Sequence, residues 1–371
     1  MAKLLSILSI IAAASFFAHA SPSSLLSRGG GGSKKCPPFR NGTFVIDYFQ
    51  LYPENADWDP DSCLVWIGAV WNGTVALFDP YADKVVEVLE FPGTSHTGSQ
   101  HIGGVAWDPY SGLITILTDS ASPWGTGGAD VSGDHLIMKY NHRTKQTLWS
   151  LNITELTHEK YGGFQDVETD RRGNTYIVGT FPGTVLKVDK HGKAVKPWYL
   201  PDPLPPTTKR GFGGLAAVPG SDILLSNDGD GRIYRFDMRD ETGKPVHVPM
   251  KPEKLYADTD AVYLPPRWGG SVLLVASNFG GVQVLRSKDK LWKTAENLGT
   301  IPNPTDGLNE GSVTTAVVQV GNDPGLIYLI EGFWDVPWVP GTVAGNRTLF
   351  PFPDITKDIE QLLKKKGATE K

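Results

Sequence analysis

The chain has 371 residues, of which 40% are hydrophobic and 20% charged, with a formal net charge of −5 at pH 7. No long basic block is present, so nucleic acid is not an expected partner. The sequence also lacks a GxSxG elbow, an HExxH pair, a P-loop and a usable cysteine nucleophile, which sets aside the chemistries built on them.

Read from its start, the chain opens with MAKLLSILSIIAAASFFAHA and then Ser21. Lys3, the apolar stretch Leu4–Phe17 and the small-x-small end Ala18-His19-Ala20 mark residues 1–20 as a secretory signal peptide. The apolar span is short for a bilayer, so stable membrane insertion is not expected. Residues 21–40 read as a flexible linker, most clearly in SPSSLLSRGGGGSKK. Cys36 and Cys63 are the two cysteines. In an oxidising compartment they form one disulfide; buried free thiols are the alternative. Four sequons, at Asn41, Asn72, Asn152 and Asn346, mark a glycoprotein of the secretory route or its vesicles.

Strands of one type recur from there on: LVWIG at Leu64, LITIL at Leu113, TYIVG at Thr175, DILLS at Asp222, VLLVAS at Val272 and LIYLIE at Leu326. Their spacings are 49, 62, 47, 50 and 54 residues, and each follows a turn such as DPDS, DRRGN or GNDPG. All-β repeats of this period predict a β-propeller, with six blades over residues 41–353 as one domain. A β-sandwich of irregular hairpins is the alternative. Asn41–Tyr52 is expected to complete the last blade and close the ring, removing exposed edges. Blade two carries an insertion, SASPWGTGGADVSGD. Residues 354–371 have helical periodicity and read as a surface helix.

In a four-stranded blade, the loop into the first strand and the loop between the second and third strands lie on one face, where they can converge on the channel. That face gathers acids, amides, a histidine and aromatic rings. Candidate acid/base residues are Glu54, His101, Asp166 and Glu310, with Asp166 or Glu54 as the acid and His101 or Glu310 as the base. Candidate substrate contacts are Trp124, Phe181, Phe212, Asp260, Phe279, Phe333 and Trp334. Glu54, Asp166, Asn227 and Asn278 are oxygen donors of the kind Ca²⁺ takes, although cofactor-free chemistry is the first expectation. Asn227-Asp228-Gly229-Asp230-Gly231 resembles the start of a calcium loop, but Arg239 stands where its twelfth-position acid belongs.

YPENADWDP, the QHIGGVAWDPYSGLITIL run and the repeats resemble the six-bladed group of gluconolactonases, regucalcin-type lactonases, paraoxonases and strictosidine synthases. Within it, LYPENADWDPDSCLVWIGAVWNGTVALFDPY and GSQHIGGVAWD are similar to the fungal core trichothecene cluster protein fourteen family. The resemblance implies a fungal secondary-metabolism protein acting on a trichothecene-type sesquiterpenoid in mycotoxin biosynthesis, with a contribution to virulence on plants. It implies dehydrative ring closure, which needs an acid at the leaving hydroxyl, a base at the nucleophile and a dry cup. A sesquiterpenoid is then the small-molecule partner; a monomer is expected. Two other classes remain open: a Ca²⁺-dependent lactonase or ester hydrolase, and a non-catalytic propeller that binds a small molecule or protein partner.

Overall fold

Aspartate side chains build the turns that punctuate the strands. Asp59 Oδ1 accepts the Asp61 amide at 2.8 Å, and Asp108 Oδ1 accepts the Tyr110 amide at 2.9 Å. Asp170 Oδ1 accepts both the Arg172 and Asn174 amides, each at 2.9 Å. Such side-chain-to-backbone bonds satisfy the amides that a tight turn leaves over. Between the turns, β-branched and aromatic runs form strands; TYIVGTF at Thr175–Phe181 is buried on both faces.

The computed structural model describes residues 36–253, 255–305, 307–322, 324–335 and 337–368. The expected signal peptide and residues 21–35 of the expected linker lie outside the described residues, as does the end of the lysine-rich tail. The chain is an all-β propeller arrangement of antiparallel meanders. Four sheets have four strands each, with Pro53–Asp59, Gln100–Trp107, Gly162–Thr169 and Phe212–Ala217 as their first strands. A fifth sheet begins at Thr259–Tyr263 and gains a short parallel strand, Met250–Lys251, at its far edge.

The sequence predicted six blades; the structure has five. The last repeat forms only a two-stranded ladder, Ser312–Val320 with Leu326–Phe333. Phe44–Asp47 forms a separate ladder with Leu349–Phe352, pairing Phe44 with Phe352. The reason is covalent order: the outer strands of this unit come from opposite ends of the described chain, so no hairpin joins them to the repeat.

The core lies between neighbouring sheets. Val75 and Leu77 of the first blade pack with Ile114 and Met138 of the second. Leu117 and Ile137 pack with Ile177 and Leu186 of the third. Each buried aliphatic side chain contributes about 1.5–3 kcal/mol, and alternation along the strands lets one sheet serve two clusters. The C-terminal helix Thr356–Ala368 adds Ile359 and Leu362 to the cluster on the fifth blade, and Ile355 joins it from just before the helix.

Cys36 and Cys63 form a disulfide across 27 residues of sequence, tying the start of the described chain to the first turn. Closing a loop of that length restricts the unfolded chain and stabilises by about 3–4 kcal/mol. The double variant Cys36→Ala/Cys63→Ala is expected to lose stability of that order in urea titrations; an unchanged midpoint would contradict it.

Candidate functional site

The first strand of every meander breaks register at the same place. The irregularity falls between Pro53 and Asn55, Ile102 and Gly104, Phe164 and Asp166, Phe212 and Leu215, Thr259 and Val262, and Thr314 and Ala316. A bulge inserts one residue and re-aims its side chain. The re-aimed residues Glu54, Gly103, Gln165 and Asp260 line a cavity of about 440 Å³. Glycine is required at two such positions by close backbone approach: a Cβ on Gly103 would stand 2.4 Å from Phe164 O, and one on Gly213 2.8 Å from Asp260 O.

The cavity wall is aromatic. Trp71 comes from the hairpin after Leu64–Ala69, and its indole N–H donates to Phe333 O at 3.2 Å. Its ring meets His101 at 5.4 Å, Trp334 at 5.1 Å and Trp338 at 5.8 Å. Trp124 stands on the short helix Ser122–Gly125 of the blade-two insertion. Its N–H donates to Asp119 Oδ2 at 2.8 Å, and its ring rests on Phe181 at 5.2 Å.

Against this wall sits a carboxyl pair with one cation. Burial, then the charge of Asp260, hold the Glu54 carboxyl well above its ordinary range, with Arg210 offsetting in part. Glu54 Oε2 is buried and has no hydrogen-bond partner among the described residues. Burial also raises Asp260, but Arg210 and a 2.8 Å bond from Asn278 Nδ2 to Asp260 Oδ2 work against the rise. Of the two, Glu54 therefore keeps the proton and Asp260 the charge. Arg210, whose Nη2 donates to Thr259 O at 3.2 Å, lines the same cavity. Burial lowers the proton affinity of His101, partly offset by Asp119, so its imidazole is neutral at neutral pH.

The structure thus brings together Glu54, His101, Trp124, Asp260, Trp334 and Asn278 of the candidates. It does not bring in Asp166, whose Oδ1 and Oδ2 accept the Val167 and Leu215 amides at 2.8 Å each. The bulge explains this: Gln165, one residue earlier, is the side chain turned to the cavity. Glu310 is solvent-exposed and does not line it. Phe181 is buried behind Trp124, Phe212 packs in the core between the third and fourth blades, and Phe333 is buried beneath Arg347. Phe279 is 79% exposed outside the cavity. Trp71, Arg210 and Trp338 were missed. Trp71 follows from applying the second-to-third-loop rule to the first blade, and Trp338 stands in the aromatic run GFWDVPWVPG.

The calcium set does not fit. Asn227 Oδ1 accepts the Gly214 amide and its Nδ2 donates to Asp260 O, both at 2.7 Å. With Asp166 also committed to backbone, two of the four donors have their oxygens engaged by backbone amides. Of the sequons, Asn41, Asn152 and Asn346 are exposed, whereas Asn72 Nδ2 donates to Gln50 O at 2.9 Å.

Further acids lie outside the cavity lining, Asp166 buried and Asp57 and Glu168 half-buried. Burial pushes Asp57 and Asp166 up to about 7 and Glu168 up to about 8, against backbone amide bonds that act in the other direction. Their folded-state values exceed the unfolded ones, so the folded chain binds the extra protons. That contribution is complete below the unfolded value of roughly 4 and is lost as pH rises through about 7–8. Thermal melts are therefore expected to show Tm falling between about pH 4 and about pH 8. A flat or rising Tm across that window would count against these assignments.

Residues 40–299 match the sequence profile of the family described as Mal s 1 allergenic protein-like. Trichothecene biosynthesis protein 14 of Trichoderma arundinaceum is 32% identical over 348 residues, covering 90% of this chain and 93% of that protein. Core trichothecene cluster (CTC) protein 14 of Fusarium sporotrichioides is 30% identical over 344 residues, covering 89% of this chain and 88% of that protein. The crystal structure of the major Malassezia sympodialis allergen Mala s 1 superposes with a TM-score of 0.71 at 18% identity, over 84% of this chain and 95% of that one. At that identity the likeness carries the fold alone. The chain belongs to the Mal s 1 allergenic protein-like family.

Proposed function

We propose that this protein acts in fungal trichothecene-type biosynthesis, closing a ring in an oxygenated sesquiterpenoid by acid/base dehydration. The single observation that carries the reading is the Glu54–Asp260 pair set in an aromatic cavity. At about 440 Å³ the cavity is of small-molecule size. The names of the two relatives support the pathway, and the cavity supports the chemistry.

The protonated Glu54 donates to the oxygen of the departing hydroxyl. The C–O bond breaks with its electron pair on oxygen, and water leaves. A second hydroxyl of the same substrate forms the new C–O bond, and its proton passes to Asp260. The sum is loss of one water, and the proton gained by Asp260 returns to Glu54 within the pair. Neutral His101 orients the nucleophilic hydroxyl, while the indole wall limits the access of bulk water.

A cup of this kind needs a closed ring. The gap between the first and fifth blades is spanned by the two separate ladders, which are joined by backbone bonds: Leu329 N–H to Pro353 O at 3.0 Å and Ile355 N–H to Ile327 O at 2.9 Å. The apolar N-terminus and the Cys36–Cys63 bond support passage through the secretory route.

Deletion of the gene is expected to accumulate an uncyclised polyhydroxylated sesquiterpenoid. Turnover of that compound by the purified protein is expected to survive excess EDTA. Accumulation of a lactone or ester, with loss of activity in EDTA, would favour the hydrolase reading instead.

A further inference from the structure

Trp71, Trp334 and Trp338 form one corner of the cavity, and the proposed chemistry leaves their arrangement unexplained. Apolar walls alone need no particular ring geometry. Here the Trp71 ring is met by Trp334 at an interplanar angle of 78° and by Trp338 at 55°. Trp334 therefore meets Trp71 edge to face and Trp338 is tilted against it, so neither ring is stacked flat on Trp71 while all three line the same cavity. Trp71 is held by its N–H bond to Phe333 O, so its edge is committed and its ring position fixed. Trp334 and Trp338 are 44% and 42% exposed, so their rings can be reached from solvent.

Elsewhere the protein supplies its own cations to aromatic faces. Lys187 lies over Tyr176, Arg267 over Trp268 and Arg347 over Phe333. Among the described residues, no cation lies over Trp71, Trp334 or Trp338. Arg210 shares the cavity but is placed with Glu54 and Asp260, whose charge it offsets.

We propose that Trp71, Trp334 and Trp338 form a cation site, which holds the positive charge developing on the substrate carbon as its hydroxyl departs and takes a quaternary ammonium ligand when substrate is absent. Indole faces attract a cation through the ring quadrupole, most strongly where water is excluded. In the ring closure, the bond to the leaving oxygen breaks before the new one is complete, and the carbon between them is left electron-poor. The indoles stabilise that carbon, as Glu54 and Asp260 handle the protons. The catalytic part of this inference rests on the ring-closure reading; the cation site itself does not.

The test uses choline and its neutral isostere 3,3-dimethylbutan-1-ol, titrated into the full secreted protein and followed by indole fluorescence and calorimetry. Choline is expected to bind about threefold to thirtyfold more tightly than the isostere. The preference should persist in Asp260→Asn, which removes the nearby carboxylate, and disappear in Trp338→Leu and Trp334→Leu. Both of those side chains are partly exposed, so the variants are expected to fold; circular dichroism checks it. Equal binding of the two probes, a preference that survives both tryptophan variants, or one that vanishes in Asp260→Asn overturns the proposal. Failure of ring closure is read separately, as unchanged turnover in Glu54→Gln.

Discussion

Replacing Glu54 by Gln is expected to lower turnover of the uncyclised sesquiterpenoid by about 10²–10⁴-fold, the usual cost of losing a positioned general acid. The amide matches the carboxylic acid in size but has no proton to transfer. Substrate affinity should change little, because the indole wall proposed to bind the hydrocarbon is untouched. The loss should therefore appear in kcat, with KM nearly constant. Asp260→Asn should produce a comparable fall, because the nucleophile then lacks an acceptor for its proton. The double variant should be scarcely slower than either single one, since the two groups act as a unit. On the proposed chemistry, wild-type activity depends on one proton shared by the pair. It should fall at high pH as Glu54 loses that proton and at low pH as Asp260 gains one. A Glu54→Gln protein with full activity and an unaltered pH profile would remove the acid from the reaction.

The second large effect concerns stability. Lys139 is almost fully buried, and its Nζ lies 3.1 Å from Asp108 Oδ2. It also donates to Thr115 Oγ1 at 2.8 Å and to Thr169 Oγ1 at 3.1 Å, which ties the second blade to the third. Burial lowers its proton affinity, and Asp108 restores much of it. Lys139→Met keeps the volume but leaves Asp108 buried without its cation. Removing one partner of a buried pair typically costs about 3–5 kcal/mol, read here from urea unfolding. Asp108→Asn should make the same Lys139→Met change less costly, because no charge is then stranded. Equal penalties in both backgrounds would mean that the ion pair is not the cause.

Much of the fold was legible because hairpin repeats are local. The Asp-anchored turns and alternating strands at Leu64, Leu113, Thr175, Asp222 and Val272 are written within short windows. Asn41–Tyr52 was expected to join the last unit, and Phe44–Asp47 does pair with Leu349–Phe352; that the unit splits into two ladders instead of completing a sixth blade was not legible, because its strands come from opposite ends of the described chain. The site was half legible for a similar reason. Glu54, His101 and Asp260 could be placed on the right face by counting strands. Counting alone failed at the bulge, where one inserted residue hands the cavity to Gln165 and leaves Asp166 bonded to backbone amides. Aromatic residues posed a different difficulty. Phe212 and Trp71 stand near equally placed loops, yet one ring packs between blades and the other lines the cup. That choice is made by neighbouring blades, which local pattern does not encode.

The most direct measurement is the mass of the product formed when purified, folded protein meets the sesquiterpenoid that accumulates in the deletion strain. Ring closure by the Glu54–Asp260 pair predicts conversion to a compound lighter by one water, carrying one new ether ring, with conversion largely abolished in Glu54→Gln. Recovery of the starting compound unchanged from the wild-type protein, under conditions where it binds, would contradict it.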